Sequence, residues 1–227
     1  MNPSLVEYIE EFSKKTWAIP SKVPDNLWAS DWPYAPIIPD IDIDFDTIND
    51  EMKIINHMFV AHRDKDKINS YGHEGWHSIT MHGISHEKTE HYDRYGFSSE
   101  EEANYHWTDI CELIPYTTQL VKSLPFTQHG RVRIMRLSPN GYIMPHTDGA
   151  GRIFGPYNFA LNNPENCKFV FKEYGIVPFR SGMGFLLDIG NTHAIWNNSN
   201  EYRYHVIVHG IPNNNINQLV QESINTL

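Results

Sequence analysis

Arg131–Asp148, RVRIMRLSPNGYIMPHTD, is the stretch whose reading decides the fold. RVRIMRLS has strand-like alternation, Pro139-Asn140-Gly141 breaks it with a turn signal, and GYIMPH resumes an extended pattern. Working outward, YNFAL, CKFVF, GFLLDI, THAIW and YRYHVIVHG follow at short intervals. Asn162-Asn163-Pro164 and the run Asn197 to Asn200 supply turns between them. Many short strands separated by turn residues predict a mainly β domain with supporting helices, a sandwich or barrel of the jelly-roll, cupin-like kind.

Upstream of Gly130 the pattern is mixed. Pro3, with Leu5, Ile9 and Phe12 at helical spacing, predicts a short amphipathic helix beginning near Asn2. Pro20, Trp28, Trp32, Pro33 and Pro39 mark a stretch of ordered coil. Ile41, Ile43 and Phe45 alternate with Asp42, Asp44 and Asp46, which predicts a half-buried strand with an acidic face. Ser98 and Glu101 resemble a capping box opening a helix through about Leu113, and Pro115 starts another containing Leu120, Val121 and Leu124. At the end, Ile216, Leu219, Val220, Ile224 and Leu227 predict a further helix. It has two candidate partners, the domain itself or a second subunit in a homodimer. The expected organisation is a single domain over residues 1–227. Residues 1–125 form a helix, coil and strand support, 126–212 a metal-binding β core and 213–227 a C-terminal helix.

Composition narrows the function classes. The 227 residues fit one domain, and 40% hydrophobic content without an apolar run near the roughly 18 residues of a membrane span argues against a membrane protein. MNPSLVEYIEEFSKK lacks the basic start and apolar segment of a secretory signal, so a cytoplasmic location is expected. Cys111 and Cys167 are too few for a disulfide framework. A net charge of −10 argues against nucleic acid as a partner.

Within the β region, His146 and Asp148 stand two apart and so share one strand face. A third ligand must come from another strand, and His193 in NTHAIW is suited to it. Two imidazoles and a carboxylate hold Fe(II) on one side and leave positions open for an oxidant and a co-substrate. Arg203, ten residues beyond His193, offers a planar guanidinium to a dicarboxylic acid. If the strands of His193 and Arg203 form a hairpin, a four-residue turn pairs Ala194 with Arg203 and sends Arg203 to the wrong face. A bulge near Asn200 or Glu201 is therefore expected, and with it His205 also points inward.

These segments are similar to a known family. Arg133 to Asp148 and His193 to Arg203 resemble the aspartyl/asparaginyl β-hydroxylases, closest in pattern to the free-proline hydroxylase branch, with Asn163-Pro164 and Gly75-Trp76 as weaker echoes. The resemblance implies a double-stranded β-helix with His146, Asp148 and His193 as catalytic iron ligands, and Arg203 on the distal carboxylate of 2-oxoglutarate. It implies hydroxylation by molecular oxygen of an amino acid, or of an Asp, Asn or Pro residue in a peptide or protein, coupled to decarboxylation of 2-oxoglutarate to succinate. Around Gly155 to Asn158 the family's arginine pattern is incomplete. Arg136, in phase with Val132 and Ile134, is the candidate to compensate, with Asn158 and His205 as further co-substrate contacts. Trp76, His77, Tyr142, Met144 and Trp196 are candidates to line the pocket.

Two rival readings come from other classes. His73-Glu74-Gly75-Trp76-His77 satisfies H-E-x-x-H, a zinc protease pattern when carried on a helix, but Gly72 and Gly75 weaken a helix there. The series His73, His77, His82, His86 and His91 reads as a solvated segment. A non-catalytic, metal-dependent cupin-like ligand-binding module needs the triad but not Arg203.

Overall fold

The computed structural model describes residues 3–63, 72–148 and 154–227. The first helix, α1 (Pro3–Phe12), buries Leu5, Ile9 and Phe12 on one face; its expected start at Asn2 lies outside the described residues. Coil leads to β1 (Tyr34–Ile37) and then to α2 (Phe45–Ile55). This is the first correction: the Ile41 to Asp46 stretch is not a strand. Asp44 is the N-cap of α2, its carboxylate accepting from the Thr47 N–H at 3.0 Å, while Ile48, Met52 and Ile55 bury the helical face. Three alternations were too few to outweigh a cap followed by apolar residues at helical spacing.

Next come β2 (Val60–Ala61), β3 (His73–Gly83) and β4 (His106–Trp107). The expected helix from Ser98 does not form. A reciprocal cap exists one residue later, the Glu102 N–H donating to Ser99 Oγ and the Ser98 N–H to Glu102 Oε2, but the chain turns away at Asn104, whose φ is +51°. Short α3 (Ile110–Leu113) and then α4 (Pro115–Ser123) follow, the latter opening at Pro115 as expected. The strands β5 (Phe126–His146), β6 (Phe154–Ala160), β7 (Cys167–Phe171), β8 (Gly175–Ile176), β9 (Gly184–Asp188), β10 (His193–Asn197) and β11 (Arg203–Pro212) build the core, and α5 (Ile216–Thr226) closes it.

All named strand pairings are antiparallel, in the order β1-β9-β6-β11-β5-β10-β7-β8. The 21-residue β5 runs through both halves of one curled sheet. Its first half, to Leu137, pairs β11; beyond the corner at Ser138–Gly141 its second half pairs β10. β3 accompanies both halves through a bulge at Gly75, whose φ is +70° and where a Cβ would collide with Ser138. The result is the double-stranded β-helix, or jelly roll. β10 and β11 do not form the expected hairpin with each other, so no bulge at Asn200 is needed. Each reaches the interior by its own pairing with β5.

Three apolar layers follow from strand alternation. Between the two halves of the curled sheet lie Leu137, Ile143, Phe169, Phe171, Phe185 and Ile195. Val132, Ile134, Phe159, Leu186, Val206 and Val208 point the other way, onto α2, α4 and α5. On the far side, Val170 and Ala194 pack against α1. α5 therefore spends its apolar face within the chain: Ile216 and Val220 are buried, and Ser223 Oγ accepts from the Ile38 N–H at 2.8 Å. The expected homodimer through this helix loses the surface proposed for it. No helix among the described residues is long and apolar enough to cross a membrane.

Candidate metal centre and cavity

His146 ends β5 and His193 begins β10, and the ladder sets them directly opposite each other. Asp148, two residues past His146, is tied to the adjoining loop by its own N–H, which donates to Ile189 O at 3.0 Å. The Nε2 atoms of both histidines lie 3.9 Å from Asp148 Oδ2, and the three ligand atoms are all within 4.8 Å of one another. This is the one group of three or more such residues among the described residues.

Hydrogen bonding selects the tautomer. His146 Nδ1–H donates to Met144 O at 2.8 Å and His193 Nδ1–H to Asn191 O at 2.9 Å, which leaves both Nε2 lone pairs facing Asp148. Burial, with His193 beside it, pushes His146 down to about 3, and burial lowers His193 as well. Neutral imidazoles that present Nε2, together with one carboxylate, are the donor set that suits a divalent transition metal. Phe169 stacks on His193 at 5.1 Å and holds the ring in plane.

A cavity of about 680 Å³ opens beside these ligands. Its walls include Trp76, Met135, Asn158, Phe169, Leu187 and Ile195. Arg203 points to the same interior but stands behind that wall, 4% exposed. It reaches the cavity through His205, whose Nδ1 accepts from Arg203 Nη2 at 2.8 Å, and Asn158, 2.8 Å from the same nitrogen. His205 Nε2–H donates to Asn163 Oδ1 at 3.3 Å, which leaves Nδ1 as the acceptor for Arg203. Burial, then Arg203, holds the His205 imidazole far below its ordinary value, so it stays neutral. No carboxylate among the described residues pairs with the Arg203 guanidinium.

Several expected site residues lie elsewhere. Arg136 is on the opposite face of β5, where it donates to Asn56 O and Asn56 Oδ1, both at 2.6 Å, and lies over the Phe59 and Tyr202 rings. It is in phase with Val132 and Ile134, as the alternation predicts. That phase, however, faces helices rather than the interior, because the sheet is covered on both sides. Tyr142, Met144 and Trp196 likewise turn outward onto α1, and His77 is not in the cavity wall, which leaves Trp76 as the lining residue of that group. His73 and His77 sit on a strand, which removes the helical geometry a zinc protease needs. His82, His86 and His91 bond to Gly130 O, Asp109 and Asp93.

Sequence reading missed Arg131 and Arg133, which line the cavity with Arg63, His62 and His209. The signal was available: both arginines alternate with Val132 and Ile134, in phase with Met135 and Leu137.

A family model described as aspartyl/asparaginyl beta-hydroxylase matches residues 42–211. The chain belongs to that family. This hydroxylase matches none of the curated proteins compared with it. Among solved structures it is similar to a prolyl hydroxylase from Trichoplax adhaerens, in complex with a hypoxia inducible factor peptide fragment, at 12% identity and a TM-score of 0.49 over 92% of this chain and 93% of that one. A viral collagen prolyl hydroxylase from Paramecium Bursaria Chlorella virus-1, described as its 2OG complex, is similar at 12% identity and a TM-score of 0.37, over 80% and 98%.

Proposed function

We propose that this hydroxylase depends on Fe(II) and 2-oxoglutarate. It hydroxylates an amino acid, or an Asp, Asn or Pro residue in a peptide, with conversion of 2-oxoglutarate to succinate. The observation that carries the reading is the convergence of His146, Asp148 and His193, with both Nδ1 positions occupied by carbonyls and three donor atoms within 4.8 Å. These residues would hold the iron. The buried Arg203 guanidinium, without a carboxylate partner among the described residues, would hold the distal carboxylate of the co-substrate, with His205 and Asn158 orienting it. Bound iron and 2-oxoglutarate supply the oxidising chemistry with molecular oxygen.

The chain's own part is positioning and exclusion. Phe169 and Ile195 beside His193 form an apolar wall that keeps water from the metal side. The main-chain carbonyls of Met144 and Asn191 lock the ligand tautomers, so metal entry requires no proton loss from either imidazole.

The test is anaerobic titration of metal-free protein with Fe(II) and 2-oxoglutarate, followed by visible charge-transfer absorption. Absorption that needs both additions, disappears in Asp148→Ala and requires much more 2-oxoglutarate in Arg203→Ala is the expected result. Folded protein that gives no such absorption would sink the reading and return the chain to the ligand-binding alternative.

A further inference from the structure

The cavity contains more positive charge than the co-substrate reading uses. Arg131 and Arg133 are two apart on β5 and point side by side into it, and Arg63 joins them with Nη1 3.7 Å from Asp148 Oδ1. Arg133 is 6% exposed. Its Nη1 donates to Thr89 O at 3.0 Å, Arg131 Nη1 donates to the same carbonyl at 3.4 Å, and the Nε of each has no partner among the described residues. Two guanidiniums, each with five N–H donors, thus share one neutral acceptor. Neither comes within ion-pair distance of a carboxylate among the described residues. Glu90, 3.4 Å from His62 Nδ1, favours the charge of both arginines only from beyond ion-pair distance. Buried cations in this state are costly unless an anion completes them. In a chain of net charge −10, a concentration of arginines at one cavity wall is not explained by overall composition.

We infer that Arg131 and Arg133, assisted by Arg63, form the anion subsite for the substrate, binding a carboxylate on the molecule to be hydroxylated. This rests on the function proposed above, in which Arg203 on β11 takes the co-substrate. The two carboxylates then enter from different walls. A planar carboxylate can accept from both neighbouring guanidiniums, which fits it better than a single point of contact. The carboxylate has two sources, the α-carboxylate of a free amino acid or the side chain of an acidic residue in a peptide.

Calorimetric titration of the full chain separates them. L-proline, L-aspartate and L-asparagine are compared with their carboxamides, and Ac-Ala-Asp-Ala-NH2 with Ac-Ala-Asn-Ala-NH2. Each is run in metal-free protein and in the anaerobic Fe(II) form with saturating 2-oxoglutarate. At least one carboxylate is expected to bind far better than its uncharged counterpart. Arg133→Gln and the more exposed Arg131→Gln should each weaken it at least about 30-fold while leaving 2-oxoglutarate affinity within about threefold. Preference for the free acids identifies the α-carboxylate; preference for the aspartyl peptide identifies the side chain. Arg133→Lys, which keeps the charge, serves if Arg133→Gln does not fold. Equal binding of acids and carboxamides, or a loss confined to 2-oxoglutarate, overturns the assignment. Absence of the iron and 2-oxoglutarate absorption instead defeats the cofactor reading, and the metal-free titrations still judge the arginines.

Discussion

At the residue scale, single atoms decide whether the interior is usable. Gly184 on β9 packs against the Tyr157 hydroxyl, which donates to Ile37 O at 2.8 Å, and a Cβ there would overlap that hydroxyl group. Gly184→Ala must displace a fully buried tyrosine, so a loss of about 1–3 kcal/mol is expected in urea unfolding. Unchanged stability would mean that β9 can shift freely at this point. Arg203→Lys tests geometry separately from charge. A lysine keeps the positive charge but loses the fork, so the KM for 2-oxoglutarate should rise about tenfold or more, while the Fe(II) affinity of the protein is little changed. The basis is the distance between the two features: Arg203 bonds to His205, not to any metal ligand.

At the scale of elements, helices are joined by caps that come from elsewhere in the chain. α4 begins at Ile114-Pro115 and has no side-chain cap of its own. Glu51 of α2, 6% exposed, supplies one: Oε1 accepts from the Tyr116 N–H and Oε2 from the Thr117 N–H, both at 2.8 Å. The carboxylate meets two otherwise orphaned donors and the positive end of the helix. Glu51→Gln places an amide N–H against a backbone N–H, and unfolding should become easier by about 1–3 kcal/mol. If equilibrium unfolding shows no change, the α2–α4 junction is not held by this cap. α5 likewise ties the coil before β1, with Gln221 Oε1 accepting from the Val23 N–H at 3.1 Å.

Across the whole molecule, burial of basic side chains makes stability depend on pH. His62, His205 and His209 are held well below their ordinary value of 6.5, in each case first by burial and then by neighbouring arginines. The unfolded chain binds protons on these rings below pH 6.5, whereas the folded chain does not. Unfolding is therefore favoured as pH falls through that value, and the effect is absent above it. Urea midpoints of metal-free protein should be nearly flat from about pH 7 to 8 and decline between about pH 6.5 and 5. A midpoint that rises on acidification in that range would show these rings to be charged in the fold.

Much of this architecture is legible in the chain, and the boundary follows the range of the forces involved. Strand alternation, turn residues, the Pro3 and Pro115 helix starts and the His146, Asp148, His193, Arg203 spacing are local or one-dimensional patterns, and they pointed to a jelly roll with one metal-binding group. Local pattern was insufficient where two signals competed, as at Asp44, where a cap outweighed a brief alternation. It was also insufficient where a strand has two apolar phases. Val132 and Ile134 are as buried as Leu137, so hydrophobicity does not tell the helix-covered face of Arg136 from the interior face of Arg133. The sequence by itself determined which residues are available to bind a metal, and the periodicity that makes strands of them. Only the tertiary structure decided that β10 and β11 meet on β5 rather than on each other, and that Arg131 and Arg133 share the cavity. Those outcomes depend on pairing between distant segments and on which face each covering helix occupies, and neither is encoded in the spacing of neighbouring residues.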